Sequence, residues 1–342
     1  MLFIMVAAFL AIPAAATEIT APSAPEDALE LLPQEPTGFA SDLWTVILRA
    51  VHSLQPTFAE GIAVCAKVFA VSMLISFMRN LSGRCGKLVQ LFGMLSVSLM
   101  LLGATRSMVS LASETVRQLS DYGKLLLPVI TAAFASQGAV TASAALFAGT
   151  AVFDTILSSA IAKLLLPLVY GFLALAIGAA ATDEAMLGQL RDVVKWAVGW
   201  FLKLGLYLFT GYMSVTGVIS GTTDAATLKA AKITMAGAVP LVGSILSDAS
   251  EAVLVSAGMV KNAVGIYGLL AVIAIWITPF LRIGSQYLLL KLTAAICRMF
   301  DCKAINETVD AFAAAMGLML AMTGSICVML LISIVCFMRG VM

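Results

Sequence analysis

Between Asp310 and Arg339 lie 28 consecutive residues without an acidic or basic side chain. A bilayer core of roughly 30 Å is crossed by a helix of about 20 such residues. Lipid offers no partner to backbone N–H and C=O groups, so a spanning segment must be a helix or part of a closed barrel. Barrel strands are short and alternate in hydropathy, whereas the apolar runs here are continuous. An all-α, polytopic membrane protein is what remains. The composition agrees, with 61% hydrophobic and only 11% charged residues. A net charge of +1 and the lack of a polybasic run give no reason to expect nucleic acid as a partner.

Residues 1–16 read as a secretory signal. Met1 to Ile12 is apolar throughout, and Pro13 and Ala14 to Ala16 offer the small residues a signal peptidase accepts. The basic residue that opens most such signals is missing. Residues 17–42 carry Pro22, Pro25, Pro33 and Pro36 with six acids and no Lys or Arg, which predicts an acidic, mobile tail. From Asp42 to Leu54, the residues Leu43, Val46, Ile47, Ala50 and Leu54 form one apolar stripe at helical spacing, with Trp44 suited to a headgroup region. A short helix on the outer surface is expected there, stopped near Pro56. Residues 17–61 together then form an extracytoplasmic segment, and residues 62–342 a helical membrane domain.

Within that domain spans are expected at about 62–78, 88–104, 125–153, 164–181, 196–220, 262–281 and 311–338. Arg79, Arg84 and Lys87 follow the first span without an acid, which places their loop in the cytoplasm. The connector from Arg106 to Lys124 is long enough for a helix along the interface. Residues 125–153 are rich in small residues and suit either a helix packed among others or a broken, re-entrant hairpin. Seven crossings put the N-terminus outside and the C-terminus inside. One segment resists, because Arg282, Lys291, Arg298 and Lys303 then fall on the outer side. An eighth crossing at Ile233 to Ser247, broken by Pro240, would invert it.

The chain is not expected to be an enzyme and no cofactor is expected. Its one histidine, His52, lies outside the predicted spans, so neither a serine–histidine pair within the membrane nor a two-histidine metal motif can be built. No phosphate-cradling G-x-x-x-x-G-K motif occurs. The six cysteines include no C-x-x-C pair. Among basic residues near apolar segments, Lys67 and Lys195 can snorkel to the headgroups, while Lys203 sits deeper and could line a polar path. Gly211, Gly217 and Gly221, and Ala313 with Gly317, give the small-residue spacing of close helix contacts, within one chain or between copies in a homo-oligomer. Lys-Leu-Leu-Leu-Pro occurs at 124–128 and again at 163–167, at the start of two spans of opposite direction. Such a repeat suits a stand-alone secondary transporter for a small solute.

Residues 210–268 mix polar and apolar side chains throughout. Thr223-Asp224 offers a helix cap, Pro240 and Gly243 offer a break, and Asp248 to Glu251 has capping-box spacing. Broken helices at membrane depth must be buried in protein or face water. Thr222, Asp224, Lys229, Lys232, Asp248, Glu251 and Lys261 are therefore candidates for a pore lining or an assembly surface.

The strings ISGTTDAATLKAAK (219–232) and AVPLVGSILSDASEAV (238–253) closely resemble the stage III sporulation protein AE family of endospore-forming Firmicutes. The resemblance implies a subunit of the mother-cell membrane facing the forespore, in a channel complex encoded by the stage III A operon. The partners it implies are the other membrane proteins of that operon, a separate ATPase subunit and, indirectly, the stage II protein Q of the forespore.

Overall fold

A computed structural model describes residues 21–33, 38–81, 86–137, 139–182, 184–238, 243–300 and 303–339, with side chains at all of these except 56–57, 79–80, 217–261, 300 and 339. The expected signal, residues 1–16, lies outside them. The described chain is helical: α1 (Glu26–Leu29), α2 (Phe39–His52), α3 (Gln55–Leu81), α4 (Gly86–Ala135), α5 (Val140–Ala160), α6 (Leu166–Thr182), α7 (Ala185–Ala238), α8 (Gly243–Cys297) and α9 (Lys303–Arg339). No strand occurs among the described residues.

Among the described residues, six segments are long and apolar enough to cross a membrane: Phe58–Met78, Gly86–Ala135, Val140–Thr182, Ala185–Thr216, Asn262–Cys297 and Lys303–Met338. The expected spans 88–104 and 125–153 both begin in α4, and 125–153 and 164–181 share the helical run from α5 into α6. The stretch 106–124 does not interrupt a helix, because Val109, Ala112, Val116 and Leu119 keep a buried apolar face at helical spacing. α4 therefore continues for 50 residues, about 75 Å. The segment expected at 125–153 is divided instead at Ser136–Ala139, between α4 and α5.

A π-helical turn, Ile161–Leu165, joins α5 to α6 without a break. Pro167 has no N–H for the carbonyl of Lys163, and the wider turn absorbs that missing bond. The two Lys-Leu-Leu-Leu-Pro strings thus fall in the interior of α4 and at the α5–α6 junction. Neither opens a span, and the inverted-repeat reading loses its footing.

Two ends of the bundle can be told apart. Lys87 and Leu88 of α4, Ala180 to Thr182 of α6, and Lys303 and Ala304 of α9 line one depression. At the opposite end the rings of Phe134 and Phe337 meet edge to face at 6.0 Å, and Met338 covers Gly265. Arg298 and Lys303 lie with Lys87 at one basic end of the bundle.

α9 is the axis of the bundle. Phe312, Met316, Met319, Met322, Ile326, Met329, Ile334 and Phe337 are all fully buried, in contact chiefly with α4 and α8. Unbranched methionines fill irregular gaps between helices at little cost. Ser98, Thr105, Thr293, Thr308 and Ser325 each donate to the carbonyl four residues back, so hydroxyls enter the apolar interior already satisfied.

The tail is more ordered than its composition predicts. Gly38, at φ 151°, adopts a backbone that favours glycine and leads into α2. Val46 and Ala50 of α2 are buried against α8, and α3 begins immediately at Gln55 with Pro56 in its first turn. Arg49 Nη1 donates to the carbonyls of Glu30, Leu31 and Leu32 at 3.2, 3.3 and 2.9 Å. That cation caps the orphan carbonyls at the end of α1 and straps residues 21–33, with buried Ala24, Ala28, Leu31 and Leu32, onto the bundle. Arg49→Ala is expected to release the strap, costing on the order of 1 kcal/mol locally. Limited proteolysis should then cut within residues 21–33 at protease levels that leave the native strap intact.

Candidate functional site

Charged side chains are expensive near apolar helices, so their placement marks where function concentrates. At the basic end, the starts of α7 and α9 and the end of α6 enclose a cavity of about 460 Å³. Glu184, Arg191, Asp192 and Lys195 line it from one side, and Lys303, Glu307 and Asp310 from the other. Lys291 of α8 reaches in and donates to Asp310 Oδ1 at 2.6 Å. Arg191 pairs with Asp192 at 2.9 Å, and Lys303 lies 3.9 Å from Glu307. Cations and acids are evenly matched, which makes the cavity polar and nearly neutral. The described residues contain no group of His, Cys, Asp and Glu placed to hold a metal ion.

A second polar feature lies inside the bundle. Ser120 of α4 donates to Asp154 Oδ2 of α5 at 2.7 Å, and Thr150, one turn along α5, donates to Ser333 of α9 at 3.1 Å. Hydrogen bonds of this kind tie helices together where no hydrophobic driving force separates helix from lipid. Asp154 Oδ1 and the Tyr122 hydroxyl are buried without a hydrogen-bond partner.

The residues singled out from the sequence fall elsewhere. Thr222, Asp224, Lys229 and Lys232 belong to α7, and Asp248, Glu251 and Lys261 to α8, but their side chains, like those at Gly217 and Gly221, lie outside the described residues. The backbone there forms two long helices. α7 passes through Thr223-Asp224 without starting a new helix, and α8 has begun by Gly243, before Asp248. Pro240 and its neighbours at 239–242 are not described.

Lys203 is exposed on α7, near the stacked and exposed rings of Trp196 and Trp200, whose centroids are 6.1 Å apart. A side chain added at Gly211 would meet open space, so that glycine makes no close contact within the chain. Ala313 is fully buried, and a methyl at Gly317 would lie 3.5 Å from the Tyr287 ring.

Several tight glycine contacts among the described residues were not among the expected ones: Gly61 under Gln286 and Leu289, Gly93 under Ile75, Gly123 under Leu330 and Gly149 under the Tyr212 ring. Asp154 was also missed, although a signal existed. It is the only acid between Asp121 and Asp183.

A family model described as stage III sporulation protein AE matches residues 39–340. The stage III sporulation protein AE of Bacillus subtilis (strain 168) is 29% identical over 189 residues, 55% of this chain and 47% of that protein. The match therefore spans about half the length of this curated relative. No solved structure matches the chain.

Proposed function

Because the chain belongs to the stage III sporulation protein AE family, and so to the proteins of sporulation, we propose that it is a non-enzymatic subunit of a channel complex between mother cell and forespore. Its six apolar helices suit a multi-pass membrane protein. The observation that carries the proposal is the family match across almost the whole helical bundle, from α2 to the end of α9.

In this reading the signal is cleaved and residues 17–61 lie outside the mother-cell membrane. The end that carries Lys87, Arg298 and Lys303 faces the mother-cell cytoplasm, following the excess of basic residues there. The charged cavity then opens on the cytoplasmic side. The partners are the other stage III A membrane proteins and a separate ATPase subunit, with stage II protein Q reached across the intermembrane space.

The test is gentle detergent purification of the tagged chain from sporulating cells, with identification of what accompanies it. Recovery in a large particle with other stage III A subunits is the expected result, together with a sporulation block when the chain is deleted. Recovery as a lone monomer with substrate-dependent flux would replace this reading with the transporter.

A further inference from the structure

One buried acid has no role in the reading above. Asp154 of α5 is 3% exposed and lies among α4, α7 and α9, the helices that pack on α5. Its burial is by protein, so it holds wherever the surfaces of the bilayer lie. Asp154 Oδ2 accepts from Ser120 of α4 at 2.7 Å, and Ser120 is itself buried. Asp154 Oδ1 is buried with no donor among the described residues.

The charges around this carboxyl divide by helix. On α4, Asp121 and Lys124 act on it, but Lys124 lies 3.1 Å from Asp121 and both side chains are more than half exposed. Glu114 and Arg117 pair with each other at 2.6 Å, and the Tyr122 hydroxyl makes no hydrogen bond. On α7, Tyr212 donates to the carbonyl of Ala145, while Tyr207 and Lys203 are exposed. α9 has no acid or base between Asp310 and Arg339, and its titratable groups there are the thiols of Cys327 and Cys336. Among the described residues no cation is bonded to Asp154.

A carboxylate in this position would carry a full charge against one neutral hydroxyl. An ionised group without a paired cation is too costly to bury, and it takes up a proton instead. The neutral acid fits its surroundings. A separation of 2.7 Å serves a hydroxyl donating to the acid's carbonyl, or the acid's O–H donating to the hydroxyl oxygen. An uncharged Oδ1 without a donor costs far less than a charged one.

We propose that Asp154 is a proton-binding site, filled at neutral pH, whose proton keeps α4 closed on α5. When the proton passes to solvent, the buried charge draws Lys124, one helical turn past Ser120, away from Asp121. Occupancy of an interior site is thereby tied to an ion pair on the surface of α4.

The test is infrared spectroscopy of the full chain in lipid nanodiscs, which separates the C=O stretch of a carboxylic acid from that of a carboxylate. A carboxylic-acid band at neutral pH that is present in the native chain and missing from Asp154→Asn is the expected result. Asn has the shape of the neutral acid and keeps an acceptor for Ser120, so thermal unfolding of this variant should match that of the native chain. Ser120→Ala should keep the band and shift its frequency, which identifies the acid even where Asp154→Asn fails to accumulate. Raising the pH should remove the band, and Lys124→Met should move that loss to higher pH by taking away the cation that replaces the proton. A midpoint that Lys124→Met leaves in place would overturn the link to the surface pair. A native chain without the band would overturn the proposal. If the band then appears in Lys124→Met, the acid is an ionised partner of Lys124; if it appears in neither, bound water or an ion holds a carboxylate. None of these outcomes changes which subunits accompany the purified chain, so the channel reading stands or falls separately.

Discussion

A topology reporter fused after Arg339 is expected to report the outer side of the membrane, the same side as a reporter placed before α3. The ground is parity. α3 runs towards the basic end, α9 runs away from it, and with α3 and α9 included six segments are long and apolar enough to cross. Seven crossings would put the end of α9 in the cytoplasm, so the two counts predict opposite, all-or-none outcomes. A reporter within residues 82–85 should read cytoplasmic and serves as the internal standard, because Arg79, Arg84 and Lys87 mark that loop whichever count holds. A cytoplasmic signal after Arg339 would show that one of the long segments crosses twice. α4 would be the segment to re-examine, since its 50 residues are about two and a half times the length that spans one bilayer core.

Replacing Gly149 by leucine is expected to unseat α7 from α5. Any Cβ built on Gly149 would collide with the Tyr212 ring, whose hydroxyl donates to the carbonyl of Ala145 at 3.0 Å. The ring is held from a second side as well, 6.0 Å from Phe153, which in turn meets the buried Phe209 at 5.4 Å. The ring is partly exposed, but it can yield only by giving up these contacts; otherwise the helices must move apart. Overpacking of this kind typically costs about 1–3 kcal/mol and sometimes more. Thermal unfolding in detergent should show the loss. Tyr212→Ala in the same chain should recover part of it by opening the space the leucine needs. Gly211→Leu, one residue from Tyr212 but facing open space, should leave stability unchanged. Equal losses at 149 and 211 would contradict the packing described.

Much of the architecture was legible from local pattern. The uncharged run 311–338 announced α9, and the stripe of Val46 and Ala50 announced α2 and its buried face. The basic residues after α3 marked one end of the bundle, and the structure adds Arg298 and Lys303 to the same end. The strings at 219–232 and 238–253 pointed to the family that the match over 39–340 establishes. Charge misled in one place. The residues from Arg106 to Lys124 read as a connector because charge was counted along the chain, whereas their apolar positions already kept a helical face.

What the sequence by itself determined is the solvent of this protein, its helical class and its family. Each follows from residues close together in the chain: hydropathy over a span, periodicity over a few turns, a motif over a dozen positions. Only the tertiary structure decided which helix ends share a side, and which glycines seat a neighbouring ring. It also decided that Asp154 bonds Ser120 across 34 residues. These relations depend on the register of one helix against another. Register is set by steric fit at contacts such as Gly123 with Leu330 and Gly268 with Leu126, and no single segment carries both partners of such a contact.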